Sequence, residues 1–121
     1  MSGKRVLIID DKPIILHTLA EDLEDEGYII DSAKNGEEGI NKLKAKDFDL
    51  VITDLIMSPG DGHEVINEII NSHSTIKIIV ITGYTNDELL DESLNPGITV
   101  LVKPYNRKEL FEKVRDCFRD N

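Results

Sequence analysis

The sequence predicts an open α/β fold: a doubly wound sheet of five parallel strands with helices on both faces. Three observations predict it. Five short runs rich in Val, Ile and Leu alternate along the chain with segments whose apolar residues recur at helical spacing. Most of these runs are unbroken rather than alternating, the pattern of strands covered on both faces in a parallel sheet. The runs also lead into residues that bear chemistry, Asp10-Asp11, Asp54, Thr82 and Lys103-Pro104, at the carboxyl ends of strands, where such sheets place their sites. Strand–helix alternation of this kind demands right-handed crossovers.

The first strand is Arg5-Val6-Leu7-Ile8-Ile9. Pro13 suits the first turn of a helix, where its missing N–H costs nothing, with Asp11 or Lys12 at the cap. Ile15, Leu16, Leu19 and Leu23 follow at helical spacing, and Gly27 is a C-terminal stop. Residues 28–33 form a weaker second strand, and Asn35-Gly36 reads as a turn. Ile40 and Leu43 mark one face of a short, polar helix. The third strand runs from Asp49 through Leu50, Val51, Ile52 and Thr53 to Asp54, ahead of the loop Ser58-Pro59-Gly60-Asp61-Gly62. A helix is expected over 63–71, with Ile66, Ile69 and Ile70 facing inward. The fourth strand, 76–82, is rich in β-branched residues. A short polar helix is expected over 86–94, broken by Asn95-Pro96-Gly97, and a fifth strand over 98–102. Asn106 can cap a last helix with Glu109 at capping-box spacing. Leu110, Phe111, Val114, Cys117 and Phe118 form its apolar face. Five such strands fit the flavodoxin-like order 2-1-3-4-5, whose switch point lies between strands 1 and 3.

A length of 121 residues predicts a single domain over 1–121 with a real core. There are 24 acidic residues against 14 basic, a formal net charge of -10. That balance repels nucleic acid and anionic lipid and suits a cation or a basic protein face. A lone cysteine forms no internal disulfide and points to a reducing compartment. The sequence shows neither a signal-peptide core nor an apolar stretch of membrane-spanning length, so a soluble cytoplasmic protein without membrane or nucleic-acid partners is expected.

In the proposed strand order, Asp10, Asp11 and Asp54 come from neighbouring strands and converge. Two like charges about 4 Å apart repel by roughly 4 kcal/mol at an effective dielectric near 20. A hard divalent cation is the natural compensator, and Mg²⁺ (or Mn²⁺ in its place) favours carboxylate oxygens. Lys103 adds an ammonium and Thr82 a hydroxyl donor. Metal, ammonium and hydroxyl around one carboxylate form a kit for stabilising a phosphoryl group there. Seen singly, each residue has a plainer role: Asp10-Asp11 as a helix cap, Thr82 as a strand end, Lys103 as a surface lysine before a turn. His17, His63 and His73 are scattered over separate elements, and Cys117 reads as a small core residue.

Together these residues resemble the receiver domain of two-component response regulators, of the chemotaxis-protein and sporulation-phosphorelay type. The resemblance spans essentially the whole chain. It rests on Asp10-Asp11, Asp54 ending strand 3, Gly62 eight residues later, Thr82, and Lys103-Pro104-Tyr105. It implies that Asp54 is the phosphoacceptor, taking a phosphoryl group from a phosphohistidine on a sensor histidine kinase or phosphotransfer protein. It implies that Asp11, Asp54 and the Ile56 backbone carbonyl bind Mg²⁺, with Asp10 acting mainly through water. Thr82 would bond a phosphoryl oxygen, and Lys103 would pair with Asp54 or the phosphoryl group. The Lys103–Pro104 peptide would be cis. A downstream protein partner would read the face from strand 4 to the last helix, with the chain a monomer or a phosphorylation-linked homodimer. No output domain and no enzymatic turnover of an external substrate are expected.

The chain departs from the family pattern in places. Ser58 stands where a proline is usual, with Pro59 one place later, and Gly60 replaces an apolar residue. Val100 stands where a switching Tyr or Phe is common, so an aromatic rotamer switch is not expected to transmit the signal. Ile56 and Tyr84 flank the implied path of hydrolytic water and orient it poorly, which implies a long-lived phosphoryl-aspartate. Three rival readings fit the residues less well. A flavin carrier would need a Ser/Thr/Gly-rich phosphate loop where Asp10-Asp11-Lys12-Pro13 stands. A haloacid-dehalogenase-type phosphatase would need an Asp where Ile56 stands. A pseudo-receiver, an unphosphorylated interaction module, usually lacks an acidic or lysine position that this chain retains.

Overall fold

A computed structural model describes residues 3–55, 62–72, 75–83 and 97–119. Five strands, β1 (Arg5–Ile9), β2 (Ile29–Ala33), β3 (Leu50–Asp54), β4 (Lys77–Thr82) and β5 (Ile98–Val102), form one parallel sheet in the order β2-β1-β3-β4-β5. This is the order the sequence predicts. The described helices are α1 (Pro13–Asp25), α2 (Gly36–Ala45), α3 (Gly62–Ser72) and α4 (Arg107–Phe118). The helix expected over 86–94 lies outside the described residues, as do Ile56, Ser58, Pro59, Gly60, His73 and Tyr84.

Two apolar layers hold the sheet. On one face Leu19 and Leu23 of α1 and Leu110, Val114 and Cys117 of α4 pack on Val6, Ile8, Ile52, Ile79 and Ile81. On the other, Leu43 of α2 and Val65, Ile66 and Ile69 of α3 pack on Leu7, Ile9, Val51 and Val80. The central strands are covered on both sides, which is why their sequences run apolar without alternation.

Helix ends follow their local chemistry. Asn35 is an N-cap rather than part of a free turn: its side chain accepts the Glu38 N–H at 2.7 Å. Asn106 and Glu109 form the expected capping box. Gly27, at φ 97, takes the left-handed conformation just past the end of α1, which favours glycine. One inward assignment fails. Ile70 is 42 % exposed, while Val65 is buried. The stripe through Gly62, Val65, Ile66 and Ile69 faces the sheet, and residue 70, one 100° step from Ile69, lies outside it beyond Ile66. No helix among the described residues is long and apolar enough to cross a membrane.

A polar clamp ties α2 to the β2 edge of the sheet. Lys42 and Lys46 place their ammoniums 2.9 and 2.8 Å from the two oxygens of Asp31, and the Ser32 N–H donates to one of them at 2.8 Å. Burial pushes the Asp31 carboxyl up, but the two lysines and the Ser32 N–H outweigh it and hold it at about 2, against an ordinary 3.8. A depressed carboxylate stabilises the fold above its unfolded pKa, and that stability is lost as pH falls through the folded one. Asp31→Asn should therefore lower the unfolding free energy by about 1 kcal/mol near pH 7, a figure discounted for solvent screening of a partly exposed cluster. Urea titrations should show the gap from wild type closing between about pH 4 and pH 2. A gap unchanged at the acid end would refute the assignment.

Candidate functional site

The sheet register brings the predicted residues to one edge. Ile9 pairs with Thr53, so Asp10 and Asp54 follow side by side. Asp54 pairs with Ile81, and Thr82 with Val102, so Thr82 and Lys103 lie one step further along the same edge. The Lys103 N–H donates to the Thr82 carbonyl at 3.0 Å, which fixes the start of the β5–α4 loop against β4. The Lys103–Pro104 peptide is cis.

Asp10, Asp11 and Asp54 each offer an oxygen within 4.8 Å of the others. Asp10 and Asp54 are buried, at 3 % and 5 % exposure, whereas Asp11 is open to solvent. Lys103 Nζ lies 3.3 Å from Asp54 Oδ2. Lys12 Nζ approaches the same oxygen at 3.8 Å and Asp11 Oδ1 at 3.3 Å. Asp10 Oδ1 accepts the Lys12 N–H at 2.9 Å, capping α1 from two residues upstream, because Lys12 at the N-cap has no side-chain acceptor to offer. Burial pushes the Asp10 carboxyl up; the Lys12 N–H opposes this and the neighbouring Asp54 charge adds to it. The hydrogen bond that the Lys12 ammonium donates to Asp11, with the surrounding carboxylates, raises its pKa. Tyr105 is half-buried beside the site; burial raises its hydroxyl, and the charges of Asp10, Asp22 and Asp54 add to the rise.

The donor set is hard and anionic, and two of its carboxylates are removed from water. Residues of this kind fit a small divalent cation. Thr82 is buried at the end of β4. Of the histidines, His17 is exposed on α1 near Glu21, and His63 opens α3; among the described residues neither belongs to the carboxylate cluster. Lys12 is the residue that sequence reasoning missed as a member of the site. The available signal was its position directly after the acidic pair, which a long, flexible stem can exploit in either direction.

A cavity of ≈ 770 Å³ opens beside the cluster between α1 and α4, lined by Asp10, Lys12, Ile15, Asp22, Tyr105 and Arg107 among others. An Asp22–Arg107 ion pair at 3.5 Å joins the two helices there.

A model of the response regulator receiver domain matches residues 6–115. The chain belongs to that family. A chemotaxis protein CheY of Halobacterium salinarum is 32% identical over 115 residues, spanning 94% of this chain and 96% of the relative. The crystal structure of the response regulator TrrA from Thermotoga maritima, in complex with Mg²⁺–BeF, is 40% identical with a TM-score of 0.82, covering 94% of this chain and 98% of that one. CheY in the CheX–CheY–BeF₃–Mg²⁺ complex of Borrelia burgdorferi is 30% identical with a TM-score of 0.86, over 97% and 90% of the two chains. The chain is thus a CheY-like receiver domain of the two-component class, with the receiver fold and an acidic cluster able to hold a metal.

Position 62 of this receiver is sterically constrained. A Cβ on Gly62 would lie 2.6 Å from the Asp54 carbonyl oxygen and 2.8 Å from Leu55 Cα, both backbone atoms. The Gly62 N–H also donates to the Leu55 carbonyl at 2.8 Å, holding the start of α3 against the end of β3. Gly62→Ala should destabilise the domain by about 1–3 kcal/mol, the usual range for overpacking. Denaturant midpoints check this; an unchanged midpoint would mean that the strand end yields freely.

Proposed function

We propose that this receiver accepts a phosphoryl group on Asp54 from a histidine kinase or phosphotransfer protein, with Mg²⁺ held by Asp11 and Asp54 and by Asp10 through water. The observation that carries the reading is the buried Asp54 carboxylate at a strand end, with Lys103 Nζ at 3.3 Å on Oδ2 and two further carboxylates within 4.8 Å. The Ile56 carbonyl belongs to the proposed metal set by family resemblance and lies outside the described residues. Relatives crystallised with Mg²⁺ and beryllium fluoride support the reading.

In the proposed reaction an Asp54 oxygen attacks phosphorus, a P–O bond forms, and the P–N bond to the donor imidazole breaks. The imidazole nitrogen takes up a proton from solvent as it leaves. Lys103 holds the carboxylate and then neutralises the charge carried by the phosphoryl oxygens. Thr82 supplies a hydroxyl to one of those oxygens and registers its arrival. A bound divalent cation contributes charge neutralisation of the transferring group. Burial of Asp54 against β1 and β4 fixes the nucleophile's direction, so the chain works by positioning rather than by turnover of an external substrate. The modified domain changes its affinity for a cytoplasmic protein partner through the face from β4 to α4.

Incubation with acetyl phosphate and Mg²⁺, followed by intact-mass measurement, should add a single phosphoryl group to wild type. Asp54→Asn should remain unmodified, and chelation of the metal should abolish the adduct. An adduct that persists in the variant would place the acceptor elsewhere. No adduct, with metal binding intact, would favour the interaction-module reading.

A further inference from the structure

We propose that Lys12 is a tethered counter-ion that competes with the divalent cation for the oxygens of Asp11 and Asp54, so that metal must displace it to enter. The inference rests on the reading of that cluster as a metal site. Three observations carry it. Lys12 is the N-cap of α1, with its N–H donating to Asp10 Oδ1 at 2.9 Å, so its backbone is pinned at the rim of the cluster. Its side chain folds back over the acids, with Nζ 3.3 Å from Asp11 Oδ1 and 3.8 Å from Asp54 Oδ2. The side chain is nevertheless 59 % exposed and had water available to it instead.

The position is otherwise a poor one for a cation. The N-terminus of a helix is its positive pole, and an ammonium there is disfavoured. The carboxylates are what offset that disfavour. They are also the groups that a divalent cation would use, since their oxygens form the set within 4.8 Å. An ammonium and a metal ion cannot share them at such distances without mutual repulsion. Lys103 reaches Asp54 Oδ2 from β5 and leaves Asp11 to Lys12. Lys12 is therefore the cation whose withdrawal opens the Asp11 side, and its exposed stem lets it swing into water without disturbing the core.

Mn²⁺ titration at physiological salt, read by the electron paramagnetic resonance of the free ion, tests this without recourse to phosphorylation. Lys12→Gln and Lys12→Met should bind Mn²⁺ about three- to tenfold more tightly than wild type, the factor expected for loss of two partly exposed ion pairs. Lys44→Gln removes the same charge from the last turn of α2, at the opposite end of the sheet, and should leave the affinity within about twofold of wild type, because screening limits such range. Equal affinities in wild type and both Lys12 variants overturn the inference. So does an equal shift in Lys44→Gln, which would reduce the effect to net charge. Asp11→Asn keeps the two readings apart. If it abolishes binding while the Lys12 variants match wild type, the metal site stands and the competition falls. If wild type takes up no Mn²⁺, or Asp11→Asn binds it unchanged, the metal-site reading fails and the inference with it.

Discussion

The convergence of three carboxylates at one edge of a parallel sheet constrains everything else in this receiver. Two of them, Asp10 and Asp54, are almost wholly removed from water. Burying charge in this way is costly unless opposite charge is supplied close by. The rise in the Asp10 pKa, caused chiefly by burial, is the local sign of that cost. Two ammoniums, from Lys12 and Lys103, answer it by meeting at a single oxygen of Asp54. The site is thus held as a charge set rather than as a packed core, within an otherwise apolar sheet.

The fold makes the convergence unavoidable. Once β1 and β3 pair with Ile9 opposite Thr53, the next residue of each strand must lie beside its neighbour, and both are aspartates. The apolar layers above and below keep the register from slipping, since a one-residue shift would turn the buried side chains of β3 to the wrong face. The Thr53 hydroxyl donates to the Asp54 carbonyl at 2.8 Å, and α3 begins hard against that same carbonyl, where the space admits only glycine. Asp54 is consequently fixed by its backbone from several directions, while the cations that serve it arrive on long side chains. A carboxylate of fixed direction with adjustable counter-ions suits the phosphoacceptor role proposed for Asp54.

Much of this was legible in the sequence, for a physical reason. Strands buried on both faces leave unbroken apolar runs, so β1, β3 and β4 announce themselves, β5 follows from its β-branched residues before Lys103-Pro104, and the polar residue that ends each run lies at the carboxyl edge of the sheet. The sequence alone therefore places Asp10, Asp54, Thr82 and Lys103 at that edge. The weaker signals failed where two local structures share a residue. Asn35 suits a turn and an N-cap alike, and only its bond to Glu38 separates them. Ile70 is as apolar as Ile69, but a 100° step decides which one meets the sheet. Lys12 does cap α1, as the sequence allowed, but its reach to Asp11 and Asp54 went unread because sequence gives the position of a Cα and not the direction of a four-carbon stem.

Charge counting links the structure to the proposed switch. Three carboxylates face two ammoniums, which leaves one negative charge uncompensated within the described site. A divalent cation would turn this into one excess positive charge, and withdrawal of Lys12 would then bring the site to neutrality. Acyl phosphate formation then exchanges the single charge of Asp54 for the greater charge of the phosphoryl group, and Lys103 and Thr82 are the groups on β4 and β5 that can turn toward it. Val100, packed against the layer formed with α2 and α3, carries no ring that could swing between buried and exposed positions. Under the proposed reading, the hydrogen-bonding residues at the strand ends are a route from Asp54 to the β4–α4 face that needs no ring, and Thr82 and Lys103 are already coupled there by a backbone hydrogen bond of 3.0 Å.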